Sequence, residues 1–421
     1  MSQSTITLLL LVFAMVMFLW NKLPVSVTAM IMPVALILTG ILTPAEAFSG
    51  FVNNNVILFT AMFIIGGTLF STGMAHKIGG LVTRFARSER ELIVGVMLIS
   101  GLLSSVLSNT GTTAVLLPVV IGMAAKSGYQ RSKLLMPLIF GATIGGCVTL
   151  LGSAGNLTVS ATLEEVTGEG LGFFDFTVIG LPILIVGIIF YYFVGYRFLP
   201  SRESDDETFS SSEDFSKIPA WKQNMSLAIL IVSLLAMIFE KQIGVPMYVV
   251  ATIGALVLVI TGVITEKQAC SYMNLPTIFL IAGMLPMANA LNSTGAGEII
   301  ANVVVNVFGS SGSALVIMAC LWIITNIITQ FMSNTAAVAI LSPIGISIAQ
   351  RLGADPTGVL MAILIAGSCA FCTPIAQPQN SMVYGPGGYK FSDYFKAGLP
   401  LTIICFVMSL ILLPIFFPFY P

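Results

Sequence analysis

The tripeptide Ser-Asn-Thr occurs twice in this chain, at Ser108-Asn109-Thr110 and at Ser333-Asn334-Thr335, 225 residues apart. Each copy lies in apolar sequence and is followed at equal distance by a proline, Pro118 and Pro343. Side-chain oxygens of Ser, Asn and Thr accept from the free N–H groups that open a helix, so each triplet reads as a helix start. The helices would run over about 111–125 and 336–350. Their first N–H groups and the positive end of the helix dipole favour an anion. Carbonyl and side-chain oxygens of the same turns could coordinate a hard cation such as Na+. Ser and Thr also serve simply to pack membrane helices closely, but two copies at matched positions favour a site. A second matched pair is Gly152-Ser153-Ala154-Gly155-Asn156 and Thr373-Pro374-Ile375-Ala376-Gln377-Pro378-Gln379-Asn380. Glycine and proline there break a helix and expose backbone carbonyls, and breaks at corresponding places in two halves point to a transport site.

The elements that must position these residues are membrane helices. Of 421 residues, 57% are hydrophobic and 8% charged, against about 25% charged in a soluble domain. The expected fold is an all-α polytopic membrane protein. Apolar runs long enough to cross a bilayer fall at about 4–20, 24–42, 52–75, 133–163 and 172–199, then at about 225–240, 244–264, 275–292, 356–383 and 394–419. The N-terminal run lacks a basic flank and a cleavage site, so it reads as a span rather than a signal peptide.

The halves align by identity. Thr39-Gly40 matches Thr261-Gly262, Thr72-Gly73 matches Thr294-Gly295, and Thr149 and Asn156 match Thr373 and Asn380. Residues 1–200 therefore read as a first repeat, with a re-entrant hairpin over about 91–125 and a broken helix over about 133–163. Residues 225–421 read as a second, with a hairpin over about 313–350 and a broken helix over about 356–383. Five transmembrane helices plus one re-entrant hairpin in each half is an odd number of crossings, so the second copy must be inverted. Charge placement agrees: 15 of the 17 Lys and Arg fall on one face, and only Lys241 and Arg351 on the other. The positive-inside rule makes the first face cytoplasmic. Both termini are then outside and the polar linker 201–224 is cytoplasmic, in a protein of the cell (inner) membrane.

No Asp, Glu, Lys or Arg falls near the centre of a span, and the single histidine, His76, lies near the cytoplasmic end of the third. This excludes a proton antiporter built on intramembrane acids and requires a charged solute to be held by neutral dipoles. It also leaves an intramembrane enzyme without a base or metal cluster, so no enzymatic activity is expected. The six cysteines are scattered, and Cys369-x-x-Cys372 has no second pair beside it, so neither a disulfide framework nor a transition metal is expected. A net charge of −1 implies no nucleic-acid partner.

Together the paired Ser-Asn-Thr tips and the paired breaks ending in Asn156 and Asn380 resemble the divalent anion/sodium symporter (DASS) family of the ion transporter superfamily. The resemblance spans nearly the whole chain. It implies a homodimer in which a transport domain moves like an elevator against a scaffold, carrying dicarboxylates, tricarboxylates or sulfate, usually with Na+. It implies substrate contacts from Ser108, Asn109, Thr110, Ser333, Asn334 and Thr335, with Ser153, Gln377 and Pro378 beside them. One sodium site would use Ser104, Ser108, Asn109 and the backbone near Gly152; the other would use Thr329, Asn334 and the backbone near Ala376. The family commonly has Gly-Thr-Pro-x-Asn at both breaks, where this chain has Gly-Ser-Ala-Gly-Asn and Ala-Gln-Pro-Gln-Asn. Gln377 in place of threonine changes reach and hydrogen bonding at the substrate. The absence of an inserted regulatory domain between the halves tilts the expected cargo towards C4-dicarboxylates. A sodium-independent anion exchanger and a sulfate, tricarboxylate or arsenite-type carrier are the alternatives on the same scaffold. Beyond sodium as coupling ion, no cofactor is expected.

Overall fold

The computed structural model describes residues 2–20, 22–79, 88–202, 218–308 and 314–420. The linker 201–224 falls mostly on 203–217, outside the described residues. Apolar segments without water must satisfy their backbone groups internally, and a helix does so within one segment. The described residues accordingly form helices and turns, with no strand. The first half contains helices Gln3–Trp20, Val25–Leu38 and Asn54–Ser71, then the hairpin pair Glu89–Ser104 and Asn109–Ser127. It continues with Ser132–Gly145 and Ala154–Thr167 on either side of a break, and Thr177–Phe193. The second half has Ala220–Ile238, Met247–Ile260, Leu275–Met284 with Pro286–Ser293, and Ala296–Phe308, which stands where the first half has Met74–Gly79. Its hairpin pair is Ala314–Thr329 and Asn334–Arg351, its broken helix is Pro356–Ser368 with Pro378–Tyr384, and it ends in Phe391–Phe416.

Five stretches are long and apolar enough to cross a membrane: Asn54–Ser71, Asn109–Ser127, Ala220–Ile238, Leu275–Ser293 and Phe391–Phe416. Several expected spans are shorter as helices. The run over 24–42 is helical only to Leu38, because the chain turns through Gly40 at φ +70°. The run over 275–292 is divided after Met284, where Leu285 and Pro286 start a new helix. The two helices after the triplets begin at Asn109 and Asn334, two residues earlier than expected, because the serine alone is the cap.

The helices that lead into the breaks are the most buried of the described membrane helices. Ser132–Gly145 is buried at every position but Lys133, and Pro356–Ser368 at all but its first two. Each packs on the first helix of its own hairpin, by different means. In the first half the contact is glycine against backbone: a Cβ on Gly145 would lie 2.2 Å from Gly101 O, and one on Gly141 2.5 Å from Met97 O. Small residues allow this approach between membrane helices. In the second half two buried amides fasten the joint. Asn326 Nδ2 donates to Ala366 O and Cys369 O, both at 3.0 Å, and Gln330 Oε1 accepts from Cys372 N at 3.1 Å.

The halves are also joined to each other. Tyr191 Oη donates to Ala397 O at 2.8 Å. Arg202, at the start of the linker, pairs with Asp393 through two bonds of 2.9 and 3.1 Å, and its N–H donates to Ser132 Oγ at 3.0 Å.

Candidate functional site

Each triplet adopts the same local structure. Ser108 Oγ accepts from Gly111 N at 3.2 Å, and Ser333 Oγ accepts from Ala336 N at 3.3 Å. Both serines have extended backbone at φ near −60° and ψ near 140°, the geometry of an N-cap. Asn109-Thr110 and Asn334-Thr335 therefore occupy the first turn of their helices, where backbone N–H groups have no carbonyl partner within the helix.

The two breaks are held by one device used twice. Asn156 Nδ2 donates to Gly146 O at 2.7 Å and Thr149 O at 2.6 Å; Asn380 Nδ2 donates to Ala370 O at 2.8 Å and Thr373 O at 2.9 Å. In each case the carbonyls lie ten and seven residues back, on the far side of the break. An interrupted helix leaves carbonyls that water cannot reach, and a primary amide with two N–H groups satisfies two of them. The matched asparagines are thus clamps on the backbone. Ser153 caps the helix after the first break, its Oγ accepting from Gly155 N at 3.2 Å. Its counterpart Gln377 does not cap, and sends Nε2 to Ser368 O at 2.8 Å.

Tips and breaks meet on a single cavity of about 400 Å³, within the range of small-molecule sites. Ser108, Asn109, Thr110, Ser153, Ser333, Asn334, Thr335, Gln377 and Pro378 all line it, as does Gly152. Its other wall comes from the spans Asn54–Ser71 and Leu275–Met284, through Phe59, Phe63, Phe70, Thr277 and Leu280 among others. No charged side chain is among the lining residues. Phe70 abuts the first tip so closely that a Cβ on Gly111 would lie 2.4 Å from its ring.

The residues expected around a first cation are partly assembled. The Asn109 amide sits 2.7 Å from Ser104 Oγ, 3.1 Å from Ala142 O and 3.2 Å from Gly152 O. Turned one way, its nitrogen donates to all three; turned the other, its oxygen makes a fourth in a cluster of oxygens. An oxygen cluster without a fixed charge suits a hard monovalent cation. Ser108, the neighbour of Asn109, has its oxygen engaged in the cap. In the second half the arrangement is looser. Thr329 Oγ1 donates to Gly367 O at 2.8 Å, while Asn334 is half-buried and makes no side-chain hydrogen bond among the described residues. Ala376 is buried but is not tied to Thr329 or Asn334.

Sequence reasoning overlooked several participants. Ala142 and Gly367 contribute only carbonyls, which leave no trace in residue type. Gln379 is buried on the cavity wall and links the halves. It donates to Gln377 Oε1 and to Thr143 Oγ1 at 3.3 Å, and accepts from Thr110 Oγ1 at 3.4 Å. The Thr110 hydroxyl is therefore already committed, whereas Ser333, Asn334 and Thr335 keep their side-chain donors free among the described residues. Asn326 and Gln330 carried a legible signal, two amides four apart in an apolar run.

Broken helices and hairpin tips converging on an uncharged polar cavity, in an all-helical chain with several apolar spans, define a multi-pass membrane transporter. The chain belongs to the citrate transporter family (CitMHS), whose model matches residues 15–239 and 234–420, within the ion transporter superfamily. A Haemophilus influenzae protein named only as a transporter is 30% identical, over 95% of this chain and 89% of its own. Transporter YfbS of Escherichia coli is 25% identical, over 97% and 98%. The sodium-dependent dicarboxylate transporter SdcS of Staphylococcus saprophyticus is 20% identical, over 94% and 84%. Among solved structures the fold is similar to that of Neisseria gonorrhoeae MtrF, titled as one of a class of antimetabolite efflux pumps. That likeness has a TM-score of 0.64 at 16% identity and covers 92% of this chain and 85% of MtrF.

Proposed function

We propose that this protein carries small divalent anions, C4-dicarboxylates foremost, across the cell membrane together with Na+. The observation that carries this reading is that two helix starts and two broken helices open on one cavity with no charge of its own. Unpaired backbone N–H groups and the free donors of Ser333, Asn334 and Thr335 would hold the carboxylates. Ser108, Asn109, Thr110, Ser153, Gln377 and Pro378 complete the substrate wall, with Thr110 oriented by Gln379. Sodium would enter the oxygen cluster of Ser104, Asn109 and Gly152, with Ser108 at its edge and Ala142 added to it. A second ion would use Thr329, Asn334 and Ala376 once the second tip closes. The dicarboxylate and sodium assignments draw support from SdcS.

The mechanism belonging to this reading is alternating access of the elevator kind in a homodimer. Two inverted repeats, 1–200 and 225–421, each with five transmembrane helices and a re-entrant hairpin, would supply it. The identical asparagine clamps favour such a duplication, because unrelated segments have no reason to share both bonds at the same spacings. Hairpins and broken helices would move, while the spans facing them across the cavity stay fixed. Termini lie outside and the linker inside in this scheme.

Proteoliposome uptake of labelled succinate is the test. Uptake is expected to rise at least tenfold when an inward Na+ gradient replaces K+. Equal uptake in the two salts, with stimulation by internal substrate instead, would mean sodium-independent exchange. No uptake of succinate, citrate or sulfate under either condition would remove the anion reading.

A further inference from the structure

We infer that Glu164 and Glu165 form a releasable latch between the helix Ala154–Thr167 and two neighbouring spans, closing the end of the protein opposite the cavity. The inference rests on the alternating-access reading above. Both carboxylates lie in the last turn of that helix, where the negative end of the dipole disfavours them. Something else must hold them there. Glu164 accepts from Asn55 Nδ2 at 2.8 Å and from Asn54 Nδ2 at 3.3 Å, and Glu165 accepts from Asn289 Nδ2 at 2.5 Å. The donors belong to other elements: Asn54 and Asn55 open the helix Asn54–Ser71, and Asn289 lies in Pro286–Ser293. The ion pairs among the described residues, Lys133–Glu89 and Arg202–Asp393, involve neither carboxylate.

The placement gives the contact its meaning. The cavity runs along the same two spans, from Phe59 to Phe70 on one and from Asn274 to Leu280 on the other, and the latch lies beyond its end. Asn55 stands four residues, roughly 6 Å along the helix axis, beyond Phe59 at the near edge of the cavity; Asn289 stands nine residues beyond Leu280, in the helix after the division. The break helix begins at Ser153, on the cavity wall, and ends at the latch. If that helix shifts along the fixed spans to present the cavity on the other side, all three bonds must break. Amide-to-carboxylate bonds suit this duty, because they exceed neutral hydrogen bonds in strength yet leave no unpaired cation when they open. The captured state is therefore the one with the latch made and the cavity bounded at its other end by Val25, Pro276 and Thr277.

The experiment uses full-length protein carrying Thr277→Cys, with the exposed native cysteine removed as Cys270→Ser, in sealed vesicles. A membrane-impermeant maleimide is applied on the cavity side. In wild-type background, saturating substrate and Na+ should alter the labelling rate; a rate indifferent to both would sink alternating access rather than the latch. Glu164→Ala with Glu165→Ala should slow labelling about threefold or more, since losing bonds to charged groups shifts a two-state equilibrium by about tenfold. Glu164→Gln with Glu165→Gln, which keeps an acceptor oxygen at each place, should fall between. Asn55→Lys, which gives Glu164 a cation, should keep labelling at or above the parent rate and lower uptake at least tenfold. The latch is overturned if both glutamate variants label as fast as the parent or faster, or if Asn55→Lys transports normally.

Discussion

Asn334→Ala is expected to abolish uptake of labelled dicarboxylate while the purified protein unfolds within about 0.5 kcal/mol of the parent, the usual range for a side chain that holds nothing. Asn334 stands in the first turn of its helix, lines the cavity and makes no side-chain hydrogen bond among the described residues, so the fold gains little from it. Asn109→Ala should abolish uptake too, but with a cost to folding of about 1–3 kcal/mol. Its amide is buried among Ser104 Oγ, Ala142 O and Gly152 O, and truncation strands those oxygens. The pair of variants separates a residue that acts only on what is bound, substrate or ion, from one that also braces the site. Uptake assays in proteoliposomes, paired with denaturation curves in detergent, would check both. Normal uptake by Asn334→Ala would remove the second tip from the substrate site.

The second large effect concerns the clamps. Asn156→Ala should destabilise the protein by about 2–6 kcal/mol, because two buried carbonyls, Gly146 O and Thr149 O, lose their donor at about 1–3 kcal/mol each. Asn380→Ala frees two carbonyls as well, but its expected cost is smaller. Asn156 Oδ1 also accepts from Ser153 Oγ at 3.1 Å, whereas Asn380 Oδ1 is a buried acceptor with no partner among the described residues. Removing an unpaired acceptor recovers part of the loss. A thiol-reactive dye reports both variants conveniently, since Cys147, Cys369, Cys372 and Cys405 are buried in the folded protein. Equal stability of Asn156→Ala and the parent would show that the break is held without its clamp.

What the amino-acid types made legible was the chemistry that depends on side chains acting on their own neighbours. Ser108 and Ser333 announce their caps because the bond runs three residues along the chain. Asn156 and Asn380 are marked as a pair by their matched spacing, although their bonds to the backbone appear only in the fold. What stayed hidden depends on three-dimensional packing or on the backbone alone. The carbonyls of Ala142 and Gly367 would be the same from any residue. Gln379 gained its place only when the second break folded against Thr110 and Thr143 of the first half. Glu164 and Glu165 lie just past the run over 133–163 and drew no reading until Asn55 and Asn289 came to meet them. The division of the span over 275–292 was within reach, since Pro286 stands where such a cut is made. The gathering of nine expected substrate residues on one cavity wall is in keeping with the paired motifs in the sequence that marked them.

The neutrality of that wall has an electrical consequence. A unit charge crossing 100 mV exchanges about 2.3 kcal/mol with the field, and the lining side chains bring no charge to the crossing. Membrane voltage therefore acts at this site only through what is bound there. A dianion with two sodium ions would cross silently, and each additional cation would appear as one elementary charge of current per turnover.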